Sequence, residues 1–256
     1  EGCTVHFGEH STDVNIVGEG EVIPNCSVSM PIGGNDLTCF VADLIGDREK
    51  SIPDKDLFAT AKTVKERYCR AALNCSLRFQ KFDEKREMYM LKHSSISSLT
   101  GKQFTFDVGY ERFLAPSLYF HPEMVKKDIE LSLPECIFSS IKEAPIELRN
   151  KILNNIVIYG GSSNIKGIGV LIKEKVQELV DSDSKEYAEM LSRRVGRICP
   201  PANKFVNVNT FKRQHYAEWL GGCKFSDVYN VFDRFGISRY QYFENDGFIF
   251  PYLNKT

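Results

Sequence analysis

Two short segments of this 256-residue chain combine residue types that could do chemistry. The first is Asn155-Ile156-Val157-Ile158-Tyr159 running into Gly160-Gly161-Ser162-Ser163, followed by a helical pattern from Gly167 through Leu179. An apolar strand that opens through a glycine turn into a helix is where α/β folds bring backbone amides and a helix N-terminus against phosphate or nucleotide. More often the same arrangement only packs a helix on a sheet. The second segment is His6-Phe7-Gly8-Glu9-His10, whose two imidazoles flank a glycine and could ligate a metal. No third ligand lies nearby in sequence, which sets the metal reading behind a plain turn. The eight cysteines, at 3, 26, 39, 69, 75, 136, 199 and 223, form no CxxC pair and have no histidine at ligand spacing. With no secretion signal they read as free thiols in a reducing cytosol or nucleus, and the sequons at Asn25, Asn74 and Asn254 then carry no meaning.

The elements that would hold these segments follow from patterning. Alternation in Cys3 to Phe7, Asp13 to Val17 and Val22 to Val28, separated by glycine turns, predicts three short strands. Asp36 is placed to cap a helix through Leu37, Phe40, Val41, Leu44 and Ile45. A second helix is expected from about Leu57 to Phe82, then a polar, serine-rich loop to Lys102, then a strand at Phe104 to Val108. Helices are expected over Glu135 to Lys142 and Glu147 to Leu153, so the remainder alternates in the α/β manner. From Phe211 onward lie thirteen of the thirty aromatics, in only 46 residues. Rings at that density need a surface to cover, either their own domain or one outside this chain.

Apolar residues are 42 % and charged ones 26 %, which argues against disorder, a collagen-like repeat or a coiled coil. The formal net charge of −1 advertises neither a nucleic-acid partner nor an anionic-membrane surface, and no apolar run approaches the ~20 residues that span a bilayer. The opening Glu1-Gly2-Cys3-Thr4-Val5 has no basic region and reads as the inside of a strand, so a fragment, a processed chain or the ordered part of something longer is expected.

Five segments, in order and approximate register, are Gly34-Asn35-Asp36-Leu37-Thr38, Val64-Lys65-Glu66-Arg67-Tyr68, Tyr110-Glu111-Arg112-Phe113, Asn155-Ile156-Val157-Ile158-Tyr159-Gly160-Gly161 and Trp219-Leu220-Gly221-Gly222. Together they resemble the carboxy-terminal half of the actin fold. Asp47-Arg48-Glu49, Ile52-Pro53, Thr60-Ala61-Lys62, the run from Asp107 to Leu114 and Phe120-His121-Pro122-Glu123 follow the actin-related branch rather than conventional actin. The resemblance fades at the amino end, before Lys102 and after Trp219.

The resemblance implies an α/β chain with a ribonuclease H-like sheet, flanking helices and an inserted helical subdomain. Residues 1–33 and 123–215 would correspond to actin subdomain 3, residues 34–122 to subdomain 4, and residues 216–256 to a tail returning toward a subdomain 1 that is absent here. It also implies ATP with a divalent cation in a cleft between two lobes. Carried over position by position, Lys65 and Glu66 match the base- and ribose-contacting pair; without that match they read as a solvated helix face. Gly160 and Gly161 match the glycines that let backbone approach the nucleotide. Gly34 and Lys62 are neighbours, and His215 stands where a basic residue faces the adenine. The family's Asp-Ser-Gly-Asp-Gly phosphate turn is replaced: His6 stands for the first Asp, Phe7 for the Ser and His10 for a Gly, with Gly8 kept and Glu9 a partial substitute. Retained contacts therefore serve the nucleoside, and hydrolysis is not expected.

The leading expectation is a structural subunit of a filament-nucleating, filament-branching complex. Its partners would be other actin-related complex subunits, a second actin-like subunit and actin, with no nucleic acid and no membrane, in the cytoplasmic cytoskeleton. The alternatives are an ATP-binding actin-like protein whose missing half completes the cleft, and a chromatin- or dynactin-type actin-related subunit.

Overall fold

The computed structural model describes residues 1–195, 203–228 and 236–244. Two compact units are present, Glu1–His215 and Tyr216–Thr256.

The first unit is built on a mixed sheet. Strand β1 (Gly2–Phe7) lies between β2 (Thr12–Gly18), antiparallel with Val5 opposite Val14, and β7 (Ile156–Gly160), parallel with Val5 opposite Ile158. Beyond β2 come β3 (Glu21–Val22) and β4 (Val28–Met30), and beyond β7 comes β8 (Val208–Asn209). The expected third strand is thus two short ones, interrupted by Pro24 and by Asn25 at positive φ, where ladder pairing fails. Alternation in β1 buries Cys3, Val5 and Phe7 and leaves Thr4 and His6 partly exposed, the pleat that the sequence pattern implies.

Helices α6 (Leu133–Glu143) and α8 (Ile168–Val195) close the core over this sheet, with Leu133, Ile137, Ile172 and Val176 fully enclosed. The start of α6 is written locally: the Ser132 amide and hydroxyl donate to Glu135 at 2.7 and 2.6 Å, and Pro134 occupies the first turn, where no amide is required. Helix α7 (Ile146–Leu153) leads into β7. Helix α8 continues sixteen residues beyond the expected end at Leu179.

Residues from Gly34 to Phe120 form an insertion with its own core of Val41, Ile45, Val64, Phe106 and Val108. It comprises α1 (Gly34–Arg48), α2 (Asp54–Tyr68), α3 (Cys75–Glu84), α4 (Arg86–Tyr89), the hairpin β5 (Leu91–Ile96) with β6 (Gln103–Val108), and α5 (Glu111–Leu114). Two expectations change here. The single helix to Phe82 breaks after Tyr68, because the Arg70 and Ala71 amides donate outward to Arg112 and Lys166 carbonyls. Asn74 then caps a new helix by accepting from the Leu77 amide at 2.8 Å. The expected loop before Lys102 is instead largely α4 and β5. Its strand shows little apolar alternation because His93 alone is buried in β5.

Ionic clamps tie the insertion together. Glu111, fully enclosed, accepts from Arg48 Nη1 at 2.9 Å, Arg48 Nη2 at 3.0 Å and the Gly109 amide at 2.7 Å. Arg112 spans to the Gly109 and Tyr89 carbonyls. Much of the Tyr110-Glu111-Arg112-Phe113 motif therefore has a structural use.

The second unit contains α9 (Ala217–Val228) and α10 (Arg239–Glu244). Trp219 is 69 % exposed, and Phe225, Tyr240 and Phe243 are exposed as well. Tyr229, Phe232, Phe235, Phe248, Phe250 and Tyr252 of the aromatic tail, and Cys199, lie outside the described residues.

Candidate functional site

The carboxyl ends of the parallel strands β1 and β7 lie side by side, with Phe7 opposite Gly160, and both chains turn there. This is the position at which open α/β sheets bind ligands. Three pieces meet at it: the turn from Gly8 to Ser11, the head of α1 at Gly33-Gly34, and the turn from Gly161 to Asn164. Side chains from α2 complete the rim.

The two glycines of the second turn have different reasons to be there. Gly160 has φ +97° and ψ 176°, and a Cβ on it would stand 2.4 Å from the Phe7 carbonyl oxygen. That glycine is dictated by the close strand crossing. Gly161 is exposed, and a Cβ there would meet nothing within 4 Å, so its surface is open to a ligand. Below the turn, Ser163 donates to the Gly160 carbonyl at 2.6 Å and Gln214 Nε2 donates to the Ser163 carbonyl at 2.7 Å. Gln214 is buried and anchors the segment carrying His215, which is exposed. A groove of about 740 Å³ runs beside this turn between the start of α8 and residues 207–214, and carries Lys173, Lys212 and Arg213.

The first turn is bound to α1 rather than open. Gly34 N and Asn35 N donate to the Gly8 and Glu9 carbonyls at 2.9 and 2.7 Å, and the Gly33 amide donates to Asp36 Oδ2 at 2.8 Å. A Cβ on Gly33 would lie 2.4 Å from the Glu9 carbonyl oxygen, so this contact demands glycine. His6 stacks on Tyr159 with ring centroids 5.0 Å apart and has Nδ1 3.7 Å from Asp13 Oδ2. His10 is exposed, and among the described residues no group of three or more His, Cys, Asp or Glu is placed to hold a metal.

Lys65 is turned inward. Its side chain is 8 % exposed and Nζ donates to the Gly34 carbonyl at 2.9 Å. A point at the Gly34 Cβ position lies 3.2 Å from Glu9 Oε2, 3.4 Å from Lys65 Nζ and 3.5 Å from Ser162 Oγ. Burial pushes the Lys65 ammonium below its ordinary pKa, and the charge of Glu9 is foremost among those that oppose the shift. Glu66 and Lys62, one and three residues away on α2, are exposed and close enough to act on Lys65 electrostatically. The structure thus brings together Gly34, Lys65, Gly160 and Gly161, with Lys62 and Glu66 on the adjoining helix face. Two further residues belong to this rim: Ser162 and Tyr119. Tyr119 is fully buried beneath it, its hydroxyl beside Ser162 and Thr12, and burial raises its pKa. Only its position between helical turns, inside the Leu118-Tyr119-Phe120 run, is visible in sequence.

The fit to a nucleotide is uneven. The open Gly161 face, with Glu66 and Lys62 exposed nearby, suits an uncharged nucleoside that needs close backbone approach and hydroxyl acceptors. At the Gly8–Ser11 rim the first amides of α1 are bonded to the Gly8 and Glu9 carbonyls, and the Glu9 carboxylate stands beside Gly34.

Comparison with known proteins places this geometry in a family. The family model described as "Actin" matches residues 1–249. The chain is 36 % identical over 221 residues to actin-related protein 3 of Drosophila melanogaster, covering 86 % of this chain and 52 % of that protein. It is 34 % identical over 233 residues to actin-related protein 3 of Caenorhabditis elegans, covering 90 % and 54 %. The chain therefore spans about half the length of the curated relatives it matches. A mixed sheet with flanking helices, an inserted subdomain and matching sequence over nearly every described element lead to one conclusion: this chain belongs to the actin family.

Proposed function

We propose that this chain is an actin-like structural subunit, similar to actin-related protein 3, acting in filament nucleation and branching within an assembly of the actin-related protein 2/3 type. The observation that carries this reading is the similarity to actin-related protein 3 across 86–90 % of the chain, including the sheet and the insertion. The work of such a subunit is surface complementarity, with any nucleotide acting as a conformational wedge rather than a substrate. Its partners are a second actin-like subunit, other subunits of the assembly and actin, in the cytoplasmic cytoskeleton. The exposed aromatics of α9 and α10 supply the apolar area that such contacts use. ATP hydrolysis is not part of this reading, because His6, Phe7 and His10 stand where the family's phosphate turn has Asp, Ser and Gly.

A second reading is an ATP-binding actin-like protein whose other half completes the cleft. It is favoured by the open Gly161 face at the ends of two parallel strands.

Native mass spectrometry of the protein from its own source separates the alternatives. An assembly containing a second actin-like chain supports the nucleation reading. This chain running alone at 29.2 kDa overturns it.

A further inference from the structure

We propose that the last three turns of α8 are a self-recognition surface, on which two copies of this chain pair as antiparallel helices. Asp183 and Glu186 of each copy meet Arg194 and Arg193 of the other.

Beyond Leu179, α8 carries two stripes. Val180, Ser184 and Ala188, spaced four apart, are buried and seat the helix on its own unit. At 100° per residue, Asp183, Tyr187, Met190 and Arg194 form a neighbouring stripe, with the four-three-four spacing of a coiled-coil seam. In its middle Tyr187 is 58 % and Met190 51 % exposed. A groove of about 850 Å³ lies along this stripe, with Lys142 of α6 on its bank.

The distribution of charge selects a second copy as the occupant. The stripe is acidic at one end, through Asp183 and Glu186, and basic at the other, through Arg193 and Arg194. Tyr187 and Met190 lie equally far on either side of one midpoint, and so do Asp183 and Arg194. An antiparallel copy that stacks its Met190 on Tyr187 therefore also sets its Arg194 against Asp183. Glu186 and Arg193 flank the seam and meet across it one residue off that midpoint. Two-fold symmetry makes every contact twice, two Tyr–Met contacts in the centre and four ion pairs around them. A parallel copy in register would face each charge with its like.

Within one chain the same charges have weaker uses. Arg193 is 3.8 Å from Glu189, with both side chains largely in solvent. Asp183 accepts from Lys142 through Oδ1 at 2.9 Å, and Oδ2 is left for a second donor. Pairing therefore breaks no buried interaction. A contact of three helical turns is at the small end of specific interfaces, so the dimer is reversible, with a dissociation constant on the order of 100 µM. Its ion pairs are solvent-exposed, so it should weaken as salt rises.

The test is sedimentation equilibrium of the 256-residue chain at low salt, taken to about ten times that constant. Wild type should dimerise. Glu186→Arg and Arg193→Glu, made separately, should each weaken the dimer about tenfold or more, because each turns two attractions into two repulsions. Mixing the two variants should restore pairing to within about threefold of wild type, since the introduced arginine then faces the introduced glutamate. Both positions are exposed, so far-ultraviolet circular dichroism should not change. Rescue on mixing separates this helix pairing from association through the exposed aromatics of α9 and α10, which the charge changes leave intact. Dimers that both variants form as well as wild type overturn the proposal, and so does a mixture that stays as weak as its components. A chain that remains monomeric throughout also overturns it and leaves the face to an occupant of another kind.

Discussion

Gly160 and Gly161 are adjacent, and the structure assigns them opposite sensitivities. Gly160→Ala places a methyl group 2.4 Å from the Phe7 carbonyl oxygen, at a backbone conformation of φ +97° and ψ 176° that side-chain-bearing residues avoid. The conformational strain alone is about 1–3 kcal/mol. Relieving the overlap requires separating two hydrogen-bonded strands at the centre of the sheet, an overpacking cost of about 1–3 kcal/mol more. The expected loss is therefore about 2–6 kcal/mol, a large share of the ~5–15 kcal/mol by which domains are stable. Gly161→Ala meets nothing within 4 Å, and its stability should stay within about 0.5 kcal/mol of wild type. Urea unfolding followed by far-ultraviolet circular dichroism reads the difference. Tryptophan fluorescence is the wrong probe, since the one tryptophan, Trp219, belongs to the second unit. A loss under about 1 kcal/mol for Gly160→Ala, or an equal loss at both positions, would refute the assignment of Gly160 to strand crossing. With the fold intact, Gly161→Val then becomes a clean probe of the ligand face, and nucleoside binding should disappear.

Arg48→Met strips the fully buried Glu111 of its charge partner and should destabilise the insertion by about 3–5 kcal/mol, measured by urea unfolding, whereas Arg48→Met with Glu111→Gln should recover part of that. Burial lowers the pKa of His93, whose Nε2 has no hydrogen-bond partner among the described residues and whose Nδ1 meets the Tyr68 hydroxyl at 3.1 Å; Arg67 adds to the shift. The folded state favours the neutral ring, so this contribution is complete above the ordinary pKa of 6.5 and is lost as pH falls below it. Thermal melts should show an acid-side decline that His93→Phe flattens. Thiol labelling should reach exposed Cys39 first, with Cys3 and Cys69, whose thiols burial pushes up to about 12, reacting only on unfolding.

Much of the fold could be read locally. Alternation in Cys3 to Phe7, the helical pattern of Glu135 to Lys142 and the apolar run of Ile156 to Ile158 all place elements close to where the structure has them. The hairpin strand β5 escaped because one face of it is polar and its buried member is a histidine. The break at Cys69 escaped because the amides that end α2 find carbonyls on Arg112 and Lys166, far away in sequence.

Five motif segments in order sufficed to mark the resemblance to the actin family, because each is a short local stretch that can be matched without knowing the packing. The resemblance also put forward Gly34, Lys62, Lys65, Glu66, Gly160, Gly161 and His215 as one candidate set. What each does was decided only in three dimensions. Gly160 serves a strand crossing and Gly161 an open face, though the two are the same residue side by side. Lys65, on a helix that reads as solvated, points inward and donates to the Gly34 carbonyl, 31 residues away, at the head of α1. Charge and hydrogen-bond partnerships depend on distance through space, and that distance is set by the packing of sheet against helix.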